Sequence, residues 1–319
     1  MDTGNGRGRE AVRPRDIPAE GWKDIALRVW KSLGEDKLLL IAAGVTFYLL
    51  LALFPALGSF VALYGLIADP ATVAEHVSLL QGVMPGPATE LLSTQMTRLA
   101  GAQSGDLGLS AIIALLISLW SANGGVKAIF EGVNIAYDEQ EKRSFLRLTL
   151  ATLAFTLGAM VLLIALIGAL AVLPAVLALA PFGEVTEIVV SLLRWPLILV
   201  LIGLALAVLY RFAPSRTPPE WKWVTWGSGL ATVLWVAASV AFSVYLESFA
   251  DFGASYGAMA APIAFLLWVW ISIIVILLGA EVNAEMEHQT AHDTTAGSEK
   301  PMGQRGAEVA DTLGETADR

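Results

Sequence analysis

Away from its two ends, the chain carries few residues that could bind, pair or move a proton, and they gather in three places. In "SANGGVKAIFEGVNIAYDEQEK", which begins at Ser121, a helical turn of ~100° per residue puts Asn123, Lys127, Glu131, Asn134 and Asp138 on one side and Val126, Ile129, Phe130, Val133 and Tyr137 on another. "LLGAEVNAEME" sets Glu281, Asn283 and Glu285 at the end of the last apolar block. Thr46 and Tyr48 stand inside the first apolar block, beside Gly44. Carboxamides, carboxylates and one ammonium so arranged could line a polar vestibule whose carboxylates bind, pair or take a proton. A plainer reading stays open beside it, in which Lys127 snorkels to the headgroups, Glu131 is solvated, and Thr46 and Tyr48 bond neighbouring helices.

Several chemistries lack their parts. Metal-dependent phosphodiester cleavage needs clustered His and carboxylate ligands, and the chain has only His76, His288 and His292 and no Cys. No Walker loop, dinucleotide fingerprint or nucleophile elbow occurs, and no dense basic stripe for nucleic-acid phosphates. The expectation is therefore no catalytic residue, no cofactor, no metal and no nucleic-acid partner. Membrane lipids are the expected partners, while protein partners and oligomeric state are open.

The elements that must position these residues are apolar blocks. Hydrophobic residues make up 56% of the chain and charged ones 15%, against about 45–50% and about 25% in ordinary globular domains. A bilayer core needs about twenty apolar helical residues. Six blocks qualify: Leu38–Ala68, Leu107–Val126, Leu148–Ala180, Ile188–Phe212, Val224–Ala250 and Tyr256–Val282. The expected fold class is all-α, a polytopic membrane helix bundle of six spans over 38–286. Pro55 and Pro174 are expected to kink or end their helices locally. Gly124 and Gly125 suggest close approach of a neighbouring helix.

Outside the spans, "GWKDIALRVWKSLGED" alternates Trp22, Ile25, Val29 and Leu33 with cations, which predicts an amphipathic interfacial helix over 21–37 that lies on lipid or on the protein itself. Short helices are expected in an extracytoplasmic loop, 70–103. Residues 1–20 and the acidic stretch 287–319, without apolar periodicity, read as disordered. Lys and Arg divide eighteen to two between the two sides of this thread, which places both termini in the cytoplasm.

"AAGVTFYLLLALFP", "SANGGVKAIFEGVNIAYDEQEKRSF", "YRFAP" and "YGAMAAPIAFLLWVWISIIVILLGAEVNAE", in that order over about residues 20 to 287, resemble the YihY/virulence factor BrkB family of bacterial inner-membrane proteins. The resemblance implies a six-helix inner-membrane protein with cytoplasmic termini. It brings no agreed catalytic residues: serum resistance and envelope or lipid transport are associated with members, and some carry a ribonuclease BN label that the missing metal ligands argue against. Two functions follow as expectations: a transporter or flippase-like protein for a lipid or other amphiphile without ATP hydrolysis, or a non-transporting scaffold or envelope-integrity factor.

Overall fold

In hydrocarbon, a backbone must satisfy its own hydrogen bonds, and the apolar blocks do so as long helices. The computed structural model describes residues 5–64, 85–102, 109–178, 184–248 and 256–316. Its α-helices are α1 (Ala19–Glu35), α2 (Leu38–Tyr64), α3 (Gly86–Ala102), α4 (Leu109–Ala136), α5 (Phe145–Ala178), α6 (Glu184–Phe212), α7 (Trp221–Ser248), α8 (Ala260–Glu287) and the single turn α9 (Glu308–Asp311). The result is an all-helical bundle, with no strand among the described residues. Four of the described helices are long and apolar enough to cross a membrane: α2, the first 22 residues of α5, α7 and α8. Pro196–Phe212, within α6, is a shorter apolar helix.

Packing falls into three clusters. Leu38, Ala42 and Val45 of α2 meet Phe130 and Val133 of α4, Tyr210 of α6, Val224 and Ala231 of α7, and Leu277 and Ala280 of α8. Leu57, Phe60 and Tyr64 meet Met96, Ala122 and Met160 in a second group. The third joins Ala11, Ile17, Ile25 and Val29 of the N-terminal region to Trp223 and Met286. Facing outward is a coat of exposed apolar side chains, among them Leu39, Phe47, Leu51, Phe54, Ile113, Ile117, Val161, Val233 and Val240. Such a coat suits a lipid-facing surface.

Helix α2 runs on through Pro55. Gly125 takes the close approach expected of the glycine pair: a Cβ there would lie 2.9 Å from Leu49 Cδ2 and 3.1 Å from Ala52 Cβ, whereas Gly124 has nothing within 4 Å. Another such crossing joins α7 and α8. A Cβ on Gly227 would collide with the Gly279 carbonyl oxygen and Asn283 Oδ1, and one on Gly279 with the Tyr210 hydroxyl.

The amphipathic N-terminal helix is α1, and it packs on the protein: Ile25 and Val29 are buried against Trp223 and Met286, and Trp22 lies 5.6 Å from Trp226 between ring centroids. The expectation of disordered ends over 1–20 and 287–319 is corrected for their described residues. Residues 5–18 and 288–316 bond to each other and to the bundle at one end, the terminal end. Gln289 Nε2 donates to the Arg7 carbonyl at 2.7 Å, and Thr290 Oγ1 to the Ala11 carbonyl at 2.7 Å. Arg305, buried, donates to the carbonyls of Ala291, His292 and Ala310, and Asp311 accepts from the N–H groups of Gly303, Arg305 and Gly306. Polar side chains closing on backbone, rather than apolar periodicity, order this segment. The expected helix over 71–80, with His76, lies outside the described residues.

Replacing Gly227 by Ala forces α7 and α8 apart and should cost about 1–3 kcal/mol, read as a lower thermal midpoint in detergent. Gly229, with open space around its Cα, should gain up to about 1 kcal/mol from the same change. Equal effects at the two sites would contradict this packing.

Candidate functional site

Helix α4 carries the polar stripe past its apolar half to Ala136, and α8 brings its own polar residues to the same terminal end. Asn123 is buried and accepts from Thr156 Oγ1 of α5 at 3.4 Å. One helical turn on, Lys127 Nζ donates to Thr149 Oγ1 at 3.1 Å and sits 5.3 Å and 5.1 Å from the ring centroids of Trp120 and Phe145. Glu131 is exposed. Asn134 is buried, its Oδ1 accepting the Ser215 N–H at 2.7 Å and its Nδ2 donating to Glu141 at 3.3 Å.

On α8, Asn283 is completely buried and clamps α7: Oδ1 accepts from the Gly227 N–H at 2.8 Å, and Nδ2 donates to the Val224 carbonyl at 3.3 Å. Glu281, also buried, lines a cavity of about 10 Å³ with Asp36, Leu38, Ile41, Gly132, Ile135, Ala136 and Leu277, and its Oε1 has no hydrogen-bond partner among the described residues. Burial, and then the neighbouring Asp138, push the Asp36 carboxyl above its ordinary range. Lys127 and Glu131 are not among the walls of that cavity. Thr46 bonds back to the Ala42 carbonyl at 2.8 Å, while Tyr48 is exposed beside Phe47.

The residues sequence reasoning passed over lie between these positions. Arg216, from the α6–α7 connection, and Glu287, the last residue of α8, form an ion pair at 2.5 Å with both side chains wholly shielded. Thr294 Oγ1 donates to the same Glu287 carboxylate at 2.6 Å, and the Arg216 guanidinium stands 5.2 Å from the Tyr137 ring centroid. Glu285, which the sequence already set beside Glu281 and Asn283, pairs with Arg28 of α1 at 2.5 Å. Arg143 grips Glu141 through Nε at 2.8 Å and Nη2 at 2.6 Å, and donates to the Ala213 carbonyl at 2.7 Å. Arg143 and Arg216 were visible in the sequence as cations on one side of the thread; nothing there named their partners. Among the described residues no group of three His, Asp or Glu is placed to hold a metal ion.

The Virulence factor BrkB family model matches residues 29–303. The chain belongs to the BrkB family. It is 30% identical over 277 residues to the ribonuclease-like protein YfkH of Bacillus subtilis, covering 82% of this chain and 93% of that one. It is also similar to two UPF0761 membrane proteins. The one from Verminephrobacter eiseniae is 28% identical over 279 residues, with 84% of this chain and 63% of the relative covered. The one from Tolumonas auensis is 24% identical over 274 residues, with 84% and 87% covered. The chain thus spans less than two thirds of the Verminephrobacter relative's length. No solved structure matches. Apolar helices and membrane-protein relatives together make this BrkB-family chain a membrane protein.

Burial alone raises the Glu141 carboxyl, but the side-chain and backbone donors of Arg143 outweigh it and hold Glu141 at about 2. A depressed carboxylate contributes stability above its unfolded value of about 4.3 and loses it as pH falls through the folded value. The stability advantage of the native chain over Glu141→Gln should therefore be constant from neutrality to about pH 5 and fade towards about pH 2. Denaturant titrations in micelles across that range read it; an advantage unchanged at the acid end would contradict the pairing.

Proposed function

We propose that this BrkB-family protein crosses the bacterial cytoplasmic membrane six times, with α4 and α6 as the spans beyond the four most apolar, and holds both termini in the cytoplasm. In this reading it moves a lipid or other amphiphile across the bilayer without hydrolysing ATP. No catalytic step forms part of it, and ribonuclease chemistry, which the name of the Bacillus relative suggests, is not proposed. The orientation rests on the eighteen-to-two division of Lys and Arg.

One observation carries the transport reading. Helices α2, α3, α4, α5 and α8 surround a cavity of about 320 Å³ whose walls include Leu49, Leu53, Ala56, Met96, Met160 and Phe265, with Thr46 and Thr156 as its hydroxyls. A space of that size and polarity suits an acyl chain, within the usual pocket range of about 300–1,000 Å³. Asn123, bonded to Thr156, adds a carboxamide close to one wall.

A second reading, the non-transporting scaffold, has its own support. Asn134, Asn283, Arg216 and Glu287 are all used in ties between elements, as structural polar groups are.

Proteoliposomes carrying a fluorescent phospholipid discriminate between the two readings. Wild-type protein should move the lipid between leaflets faster than protein-free vesicles do, and Ala56→Phe, which fills the cavity, should lower that rate at least tenfold while eluting as a folded species. Rates equal to protein-free vesicles for the wild type would remove transport and leave the scaffold. In cells, a cysteine at Ser144 should label only from the cytoplasm and one at Glu90 only from outside; the reverse would overturn the orientation.

A further inference from the structure

Five cations converge on one groove of about 380 Å³ at the terminal end: Lys142, Arg143, Arg147, Arg211 and Arg216. They come from the α4–α5 connection, the first turn of α5, the last turn of α6 and the connection that follows it. Three are matched, Lys142 by Glu139 at 2.7 Å, Arg143 by Glu141 at 2.6 Å and Arg216 by Glu287 at 2.5 Å. Among the described residues, no ion pair engages Arg147 or Arg211. Arg211 instead donates to the Pro219 carbonyl and lies 4.6 Å from the Trp221 ring centroid, and its Nε has no partner. Arg216 is wholly shielded, yet its Nη1 is also without a partner.

We propose that this groove binds the phosphate group of an anionic ligand, with Arg147 and Arg211 supplying the charge, and with Lys142, Arg143 and Arg216, each already paired with a carboxylate, completing the walls. Arg147 and Arg211, uncompensated around one space, repel each other, and an anion seated between them removes that repulsion and gains charge-assisted hydrogen bonds. Helix α5 adds to it. Its first turn holds no acidic residue, so the positive end of a 34-residue helix faces this region with Arg147 beside it.

The surroundings favour a phospholipid headgroup as the source of the phosphate. Phe145, Leu146, Phe212 and Trp221, all exposed, flank the groove in sequence at the ends of α5, α6 and α7, where apolar helix gives way to connections. Basic residues at that depth draw anionic headgroups. The proposal goes beyond transport and does not depend on it, because a scaffold could hold such a lipid equally well.

Purified protein in neutral detergent, titrated with dioleoylphosphatidylglycerol and followed by native mass spectrometry, tests it. Each basic residue should contribute about fivefold, so Arg147→Gln should weaken binding about fivefold and the pair Arg147→Gln/Arg211→Gln about 25-fold. Arg147 is exposed and makes no ion pair among the described residues, so its variant keeps the test valid if the double variant folds poorly. A control, Arg13→Gln/Lys23→Gln, removes equal charge from exposed positions elsewhere and should bind as wild type does. Parallel titration with inorganic phosphate separates the sources: lipid binding that phosphate does not match identifies the headgroup, and phosphate binding without lipid binding identifies a free anion. Lipid and phosphate affinities unchanged in Arg147→Gln, or lowered equally by the control, would overturn the site.

Discussion

A guanidinium and a carboxylate with no access to solvent dictate how one end of this molecule is built. Removing such charges from water costs several kcal/mol per ion, and the cost is offset only where geometry and further hydrogen bonds are good. Arg216 and Glu287 meet at 2.5 Å, Thr294 adds a hydroxyl to the carboxylate, and the Tyr137 ring lies under the guanidinium. Those four residues belong to the α6–α7 connection, the end of α8, the C-terminal segment and the end of α4. Each element must therefore reach its place for these contacts to form. The neighbouring ties, Arg28 to Glu285 and Asn283 to Gly227, fix α1 and α7 to the same helix.

The apolar blocks were legible because a long hydrophobic run has one stable conformation in lipid. Thus α2, α7 and α8 sit close to where composition puts them, and α4 continues beyond its apolar half as the Lys127–Glu131–Asn134 spacing requires. The ordering of 288–316 was not legible. Its contacts run from Arg305 and Asp311 to backbone groups, and from Thr290 to the Ala11 carbonyl far away in sequence, and neither leaves a periodic trace. Among the polar candidates, their types and depth could be read but their partners could not. Asn134 and Asn283 look alike in the sequence, yet one holds a connection and the other a helix crossing, whereas Glu131, on the same helix as Asn134, is exposed.

The bundle therefore combines a tied end with an apolar interior cavity. The polar ties secure α1, α4, α6, α7, α8 and the C-terminal segment to one another, while the cavity along α2, α4, α5 and α8 is lined almost wholly by hydrocarbon. For a BrkB-family membrane protein this division sets a polar-tied base beneath helices that line an apolar cavity. It also explains why carboxamides deep in the sequence pattern need not face a substrate: two helices without a mutual hydrophobic drive in lipid gain specificity from hydrogen bonds between them.

The Arg216–Glu287 pair closes the terminal end, and a double-mutant cycle measures how strongly. Unfolding free energies in micelles would be compared for the native chain, Arg216→Met, Glu287→Leu and the double variant. Each single change leaves an unpaired buried charge and should cost about 3–5 kcal/mol, whereas the double variant, which buries no charge, should lie much closer to the native chain. Single variants within about 0.5 kcal/mol of the native chain, or costs that simply add in the double variant, would contradict the account.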